Sequence, residues 1–167
     1  MHEQHKRKAV KQVRCKVITV SDTRTEETDK SGKRIKELLL QEGHIVKEYA
    51  IVPDEKMLIQ SSVKQGIQDD HTDAVILNGG TGIAKRDVTI EAVHPLLEKE
   101  LSGFGEIFRY LSYQYDIGSG AILSRALAGV SNQTVIFTLP GSTGAVSLAM
   151  EKLVLPELGH IIMELNK

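Results

Sequence analysis

Near the middle of the chain, Gly79-Gly80-Thr81-Gly82 places three glycines and a hydroxyl directly after the apolar run Asp73-Ala74-Val75-Ile76-Leu77. Without β-carbons, such a loop lets backbone N–H groups approach a ligand closely and adopt positive φ. Where it leads into a helix it favours anions, because a helix start carries unpaired N–H donors and about half a positive charge. Phosphate is the natural guest. A tight turn that needs glycine for its backbone alone explains the same residues. The loop has neither the GKS or GKT ending of a Walker A sequence nor the GxGxxG spacing, which weighs against a standard P-loop NTPase or dinucleotide enzyme.

Pro140-Gly141-Ser142-Thr143-Gly144 repeats the device after another apolar run and adds two hydroxyls, and Gly118-Ser119-Gly120 is a third segment of the kind. Asp54 and Asp87 stand in neighbouring loops. Carboxylates beside a phosphate loop repel a bare phosphate, and the usual resolution is a magnesium ion shared between carboxylate and phosphate oxygens. Each aspartate also precedes a helical pattern, so N-capping is the competing explanation, with Asp54 expected at the cap itself. Lys85, Arg86 and Arg125 are candidates for phosphate or carboxylate pairing, or for solvated surface charge. Glu106 interrupts an apolar stretch and either hydrogen-bonds a polar ring or pairs with Arg109. The histidines are scattered, with no HxH or HExxH spacing, and none is assigned to a metal. Cys15, the sole cysteine, lies between Val13 and Val17 and reads as a buried structural thiol.

The elements that must position these groups follow from periodicity. Val13 to Val20 is a strand pattern ending in Ser21-Asp22-Thr23-Arg24-Thr25. Lys30 to Glu42 carries Ile35, Leu38 and Leu39 at helical spacing, with Gly43 as the left-handed stop. A second strand runs through Ile45, Val46, Tyr49 and Ile51, and after Pro53-Asp54 a helix spans Glu55 to Gln68. Asp73 to Leu77 has the continuous apolar character of a strand buried on both faces. Helical spacing returns from Thr89 to Leu101, with Pro95 as an irregularity. The stretch from Leu101 to Ala128 is read as ending in a small-residue helix that opens at Gly118-Ser119-Gly120 and runs through Ile122, Leu123, Ala126 and Leu127, with Arg125 on it. Gln133 to Leu139 is the last strand, and one long amphipathic helix closes the chain. The order βαβαβα is the signature of a helix-covered parallel or mixed sheet. In such sheets ligands collect at the carboxyl ends of the strands, where the loops at Ser21, Pro53, Gly79 and Pro140 all fall.

A length of 167 residues suits one domain. We expect a flexible basic arm over residues 1–12, built on His5-Lys6-Arg7-Lys8 and Lys11, and a single domain over residues 13–167. A net charge of −1 argues against a dedicated nucleic-acid binder. No stretch reaches the ~18 apolar residues of a membrane span, and the start lacks the apolar region of a signal peptide, so a cytoplasmic location is expected.

Gly79-Gly80-Thr81-Gly82 followed by Arg86-Asp87-Val88-Thr89, then Gly103-Phe104-Gly105-Glu106, Ser124-Arg125-Ala126 and Leu139-Pro140-Gly141-Ser142, resembles the MoaB/MogA family of molybdenum cofactor biosynthesis proteins. The resemblance covers the chain from about Val13 to Leu165, and the early Ser-Asp-Thr-Arg and Gly103 to Arg109 look more like MoaB than MogA. It implies a three-layer α/β/α sandwich with a mainly parallel sheet, assembled as a homotrimer or hexamer, that binds molybdopterin and works beside other proteins of that synthesis. Catalytic members adenylylate the terminal phosphate of molybdopterin with Mg-ATP. Carried over by position, Asp87 and Asp54 become the catalytic, magnesium-holding acids, and Gly79, Gly80, Thr81 and Gly82 the nucleotide contacts. Ser21 and Asp22 match the first loop and Glu106 the pterin side. Ser119, Arg125, Pro140, Gly141 and Ser142 fall on the phosphate side. The MoaB branch includes members that lost the second aspartate and lack the transferase activity; this chain keeps both. The alternative is a non-catalytic binder of molybdopterin or its precursor, and a generic nucleotide-binding α/β protein is the third possibility.

Overall fold

A computed structural model describes Glu3 and residues 9–167. The basic run His5 to Lys8 lies outside the described residues. Parallel β1 (Arg14–Val20), β2 (Ile45–Val52) and β3 (Ala74–Asn78) are linked by α1 (Lys30–Gln41) and α2 (Lys56–Gln68). After α3 (Thr89–Val93) the chain forms β4 (Lys99–Glu100), α4 (Ser102–Tyr115), β5 (Leu127–Ser131) and β6 (Thr134–Leu139). It closes with α5 (Thr143–Ala149) and α6 (Leu155–Leu165).

The six strands lie in the order β2-β1-β3-β6-β5-β4. β1, β2, β3 and β6 run parallel, while β5 and β4 add an antiparallel edge. Side chains alternate across the sheet as strand geometry requires. Val13, just ahead of β1, and Cys15 and Val17 within it join Ile35, Phe108 and Val146 on one face. Ile18, Val20, Val75 and Leu77 join Ile59, Val63 and Val93 on the other. Every residue of β3 is buried, because helices cover both faces and strands flank it on both sides. The architecture is the expected three-layer sandwich.

Three expectations need correction. The helix from Thr89 stops at Val93 and tightens into a 3₁₀ turn over His94–Leu96, since Pro95 has no N–H to donate into a continuing helix. The chain then extends to the sheet edge, where Glu98 N and Leu101 N donate to Val130 O and Ala128 O at 2.8 Å each. The expected small-residue helix is only a 3₁₀ turn, Gly118–Leu123. Leu127 begins strand β5 instead, so Arg125 sits on an extended link and not in a helix. β5 and β6 form a hairpin whose turn places Asn132 at φ 53°, a left-handed conformation that asparagine tolerates. Finally, the closing helix widens into a π turn over Met150–Val154 just before Pro156, a rare element that occurs mostly as a single turn inside an α-helix.

Candidate functional site

β2 lies on one side of β1 and β3 on the other, so the crevice between the carboxyl ends of β1 and β3 is the switch point where open α/β sheets bind ligands. A cleft of about 510 Å³ opens there, within the range of small-molecule sites. Strand register sets its floor: Thr19 pairs with Asn78, and Asn78 with Leu139, so the loops that follow these strands emerge side by side. Gly79 and Gly80 adopt φ 96° and 66°. A β-carbon on Gly79 would collide with the Val20 carbonyl, and one on Gly80 with Thr89 Oγ1 and, at 2.9 Å, with Asp54 Oδ1. Glycine is therefore required at both positions by conformation and by space, and a turn preference alone does not account for them.

Neither aspartate caps a helix. The cap of α2 is Glu55, which makes no side-chain cap bond, and the cap of α3 is Val88. This corrects the expectation of Asp54 at the cap: the turn starts one residue later and leaves the Asp54 side chain on the cleft wall. Asp87 also lines the cleft, its Oδ2 accepting from Ala84 N at 3.0 Å. Burial, with the negative charges of Asp22 and Asp87 added, pushes the Asp54 carboxyl above the usual carboxylate range. Asp22 stays at the rim and ties three loops together. Its Oδ1 accepts from Asp54 N at 3.0 Å and its Oδ2 from Arg86 Nε at 2.6 Å, and the arginine holds its carboxyl below the ordinary range.

Arg125 reaches across from the link before β5 to grip the glycine loop. Its Nε donates to Thr81 O at 2.9 Å and its Nη2 to Gly82 O at 2.7 Å and Asp87 O at 3.3 Å, while Nη1 pairs with Glu91. These contacts turn the Thr81 and Gly82 carbonyls toward the arginine. The Gly141 loop is pinned similarly, with Gly141 O accepting from Ser31 Oγ at 2.7 Å and Arg24 Nη2 at 3.1 Å.

Under both loops lies a buried polar network that the sequence did not announce. Asp29, 2% exposed, accepts from Thr19 Oγ1 at 2.6 Å, Tyr49 Oη at 2.5 Å and Gly32 N at 2.9 Å, with Arg24 Nη1 3.6 Å away. Asn78 Nδ2 donates to Thr19 Oγ1 at 2.9 Å. Asp29 also caps α1. A charge so buried persists only when its oxygens are satisfied, and here the groups that satisfy it belong to β1, β2, α1 and the Arg24 loop.

Of the residues singled out from sequence, Ser21, Asp54, Gly79, Gly80, Thr81, Gly82, Asp87, Arg125, Pro140 and Gly141 all line the cleft. Asp22, Glu106, Ser119 and Ser142 do not. Glu106 is exposed on α4, and among the described residues no ion pair joins it to Arg109. Ser119 is exposed on the 3₁₀ turn. Ser142 caps α5, accepting from Ala145 N at 3.2 Å. Ile117, Leu123 and Ser124 also line the cleft; sequence reasoning gave them no ligand role, placing Leu123 on a helix, quoting Ser124 only within Ser124-Arg125-Ala126, and passing over Ile117.

With this geometry in view, comparison with known proteins is direct. Residues 16–160 match the family described as "Probable molybdopterin binding domain", and the chain belongs to that family. Within it the chain is a molybdenum cofactor biosynthesis protein of the MoaB type. It is 62% identical to molybdenum cofactor biosynthesis protein B of Bacillus subtilis (strain 168), over 99% of this chain and 97% of that protein. A crystal structure of a molybdenum cofactor biosynthesis protein B superimposes with a TM-score of 0.92 at 60% identity, covering 95% of this chain and 98% of the other. The tungsten cofactor synthesizing protein MoaB from Pyrococcus furiosus superimposes with a TM-score of 0.84 at 41% identity, covering 95% and 100%.

The donors fit a magnesium ion that arrives with phosphate. Carboxylates of Asp54 and Asp87 are hard oxygen ligands, and magnesium is commonly held by one or two carboxylates plus substrate phosphates. Among the described residues no cluster of three or more His, Cys, Asp or Glu side chains is placed to hold a metal by itself.

Proposed function

We propose that this protein binds molybdopterin in the cleft and transfers AMP to its terminal phosphate from Mg-ATP. The observation that carries the reading is that Asp54 and Asp87, freed from helix capping, face the same cleft as the glycine loop. In this reaction a terminal phosphate oxygen of molybdopterin attacks the α-phosphorus of ATP. A new P–O–P link forms, the bond to the β-phosphate breaks, and pyrophosphate leaves. That oxygen is already largely ionised near neutral pH, so the protein need supply neither nucleophile nor general base. Its tasks are alignment and charge neutralisation. Backbone N–H groups of residues 80–82 and 141 would cradle phosphates, the Gly79 N–H being taken by Leu139 O at 3.0 Å; Asp54 and Asp87 would hold the cation, and Arg125 keeps the loop's carbonyls turned toward itself. When bound, magnesium neutralises phosphate charge and favours departure of pyrophosphate.

The test incubates the protein with molybdopterin and Mg-ATP labelled at the α-phosphate and looks for labelled pterin nucleotide. Product formation is expected, and Asp87→Asn should abolish it while leaving pterin affinity within about a few-fold. Pterin binding without product from the unaltered protein would instead favour the second reading, a binder of molybdopterin or its precursor. One observation supports that alternative. Arg24, Arg86 and Arg125 are each already engaged by protein partners, leaving triphosphate neutralisation to the cation and backbone.

We also propose a homotrimer, or a hexamer built from it, in the cytoplasm. Ile107, Tyr110 and Tyr113 on α4 and Ile122 beyond it are at least half exposed, an apolar face of the kind oligomers cover. Sedimentation equilibrium gives the assembly mass directly. No helix among the described residues is long and apolar enough to cross a membrane.

A further inference from the structure

The cleft is electrically uneven. Asp54 Oδ1 stands 2.9 Å from the point where a Gly80 β-carbon would lie, and Asp87 Oδ2 stands 2.7 Å from the same point on Gly82. The acids thus keep to the later residues of the glycine loop. Gly79, where the loop begins, instead meets the Gly141 loop: a β-carbon on Gly141 would lie 3.1 Å from Gly79 Cα and 3.9 Å from Arg24 Nη1. Arg24 lines the cleft, and its side chain is 33% exposed. Its guanidinium is held at two points. Nη2 donates to Gly141 O at 3.1 Å, and Nη1 lies 3.6 Å from the carboxylate of buried Asp29, beyond hydrogen-bond distance. The Arg24 backbone N–H donates to Ser21 Oγ at 3.0 Å and fixes the same loop.

Asp29 takes its hydrogen bonds from Thr19, Tyr49 and Gly32, so it orients the arginine without consuming its donors. Among the described residues, the bond to Gly141 O is the guanidinium's sole hydrogen bond. Arg125, the other cation lining the cleft, spends its fork on Thr81 O, Gly82 O, Asp87 O and Glu91. Arg86 is tied to Asp22 and does not line the cleft. We propose that Arg24 receives the phosphomonoester end of molybdopterin, while the end beside Asp54 and Asp87 takes the metal-complexed triphosphate. A triphosphate brings its own cation and suits an acidic wall. A phosphomonoester carries about −1.5 to −2 of charge near neutral pH, brings no metal, and needs positive charge from the protein. A guanidinium supplies that charge in a planar fork that matches phosphate oxygens in pairs. The inference rests on the molybdopterin reading of the cleft, and it adds which part of the cleft each substrate occupies.

Its test measures the affinity of the full chain for molybdopterin and for dephosphorylated molybdopterin, by anaerobic titration of pterin fluorescence, in the parent and in Arg24→Gln and Arg24→Lys. Mg-ATP affinity is measured on the same samples. The parent is expected to prefer the phosphorylated pterin by at least about tenfold. Arg24→Gln should bring the two forms within about twofold of each other by weakening the phosphorylated one alone, with Mg-ATP affinity changed by less than about twofold. Arg24→Lys keeps the charge without the fork and should cut the preference by at least about threefold; it decides the matter if Arg24→Gln does not fold. Equal binding of both pterin forms by the parent, or an undiminished preference in the variants, overturns the assignment and leaves the proposed function standing. Equal weakening of both forms also overturns it, because Arg24 would then only shape the loop, and so does a loss that falls on Mg-ATP instead. Failure of the folded parent to bind either pterin removes the molybdopterin reading, and this inference with it. Because the readout is binding, it is decided separately from whether AMP is transferred.

Discussion

Replacing Arg125 by lysine keeps the positive charge but removes the planar fork that spans the glycine loop. The guanidinium reaches Thr81 O, Gly82 O and Asp87 O at 2.9, 2.7 and 3.3 Å, and the Glu91 carboxylate besides. An ammonium is a point donor on a flexible stem and cannot reproduce this set. Loss of two carbonyl bonds, at the low end of the ~1.5–3 kcal/mol typical of a charged donor, amounts to about 3 kcal/mol. The side chain is 31% exposed, so water replaces part of what is lost, and about 2 kcal/mol is the expected net cost. For a domain of this length that corresponds to a fall in Tm of roughly 4–8 °C. The same free energy, taken from the ordering of the loop that lines the cleft, weakens Mg-ATP binding by up to about thirtyfold. Circular dichroism melting and calorimetric titration with Mg-ATP measure the two quantities on the same sample. A Tm and an affinity both unchanged would refute the clamp. Lost stability with unchanged affinity would show that Arg125 holds the fold and not the loop's binding geometry.

Gly80→Ala should destabilise by at least about 2 kcal/mol in urea unfolding, since φ 66° costs roughly 1–2 kcal/mol for a residue with a β-carbon and the methyl meets Thr89 Oγ1 and Asp54 Oδ1. Gly103→Ala, where a β-carbon would meet nothing within 4 Å and lies in α4, should be neutral or stabilising by up to about 1 kcal/mol. Asp54 predicts a pH dependence of defined sign. Its carboxyl is raised in the folded protein by burial and then by Asp22 and Asp87, so its stability contribution is complete below the unfolded value and is lost as pH rises through the raised folded one. Asp54→Asn should therefore raise the ligand-free Tm at neutral pH, with the advantage disappearing as the pH is lowered through the carboxylate range. A benefit that persists undiminished in acid would contradict this account.

Much of this arrangement is local and therefore legible in the amino-acid sequence. The uninterrupted apolar run of β3 demanded burial on both faces, and helical segments between strands demanded crossovers. Together these place the loops after Val20, Val52, Asn78 and Leu139 along one edge, whatever their side chains. Glycines 79 and 80 marked the close approach for the same local reason. Long-range neighbours decided the rest. Whether Asp54 caps α2 or faces the cleft depended on a one-residue difference in where that helix begins, which residue type cannot distinguish. Leu127 to Ser131 became a strand because β6 pairs with it, a partner that its small residues do not announce. Arg125 is bound to a loop 44 residues away and Arg24 to one 117 residues away, and Asp29 gathers hydroxyls from two strands. Periodicity carries no information about such partners, because they are selected by side-chain geometry that exists only once the sheet has assembled. The sequence alone determined which loops gather at the carboxyl edge of the sheet; the tertiary structure decided which side chains are free to face the cleft there.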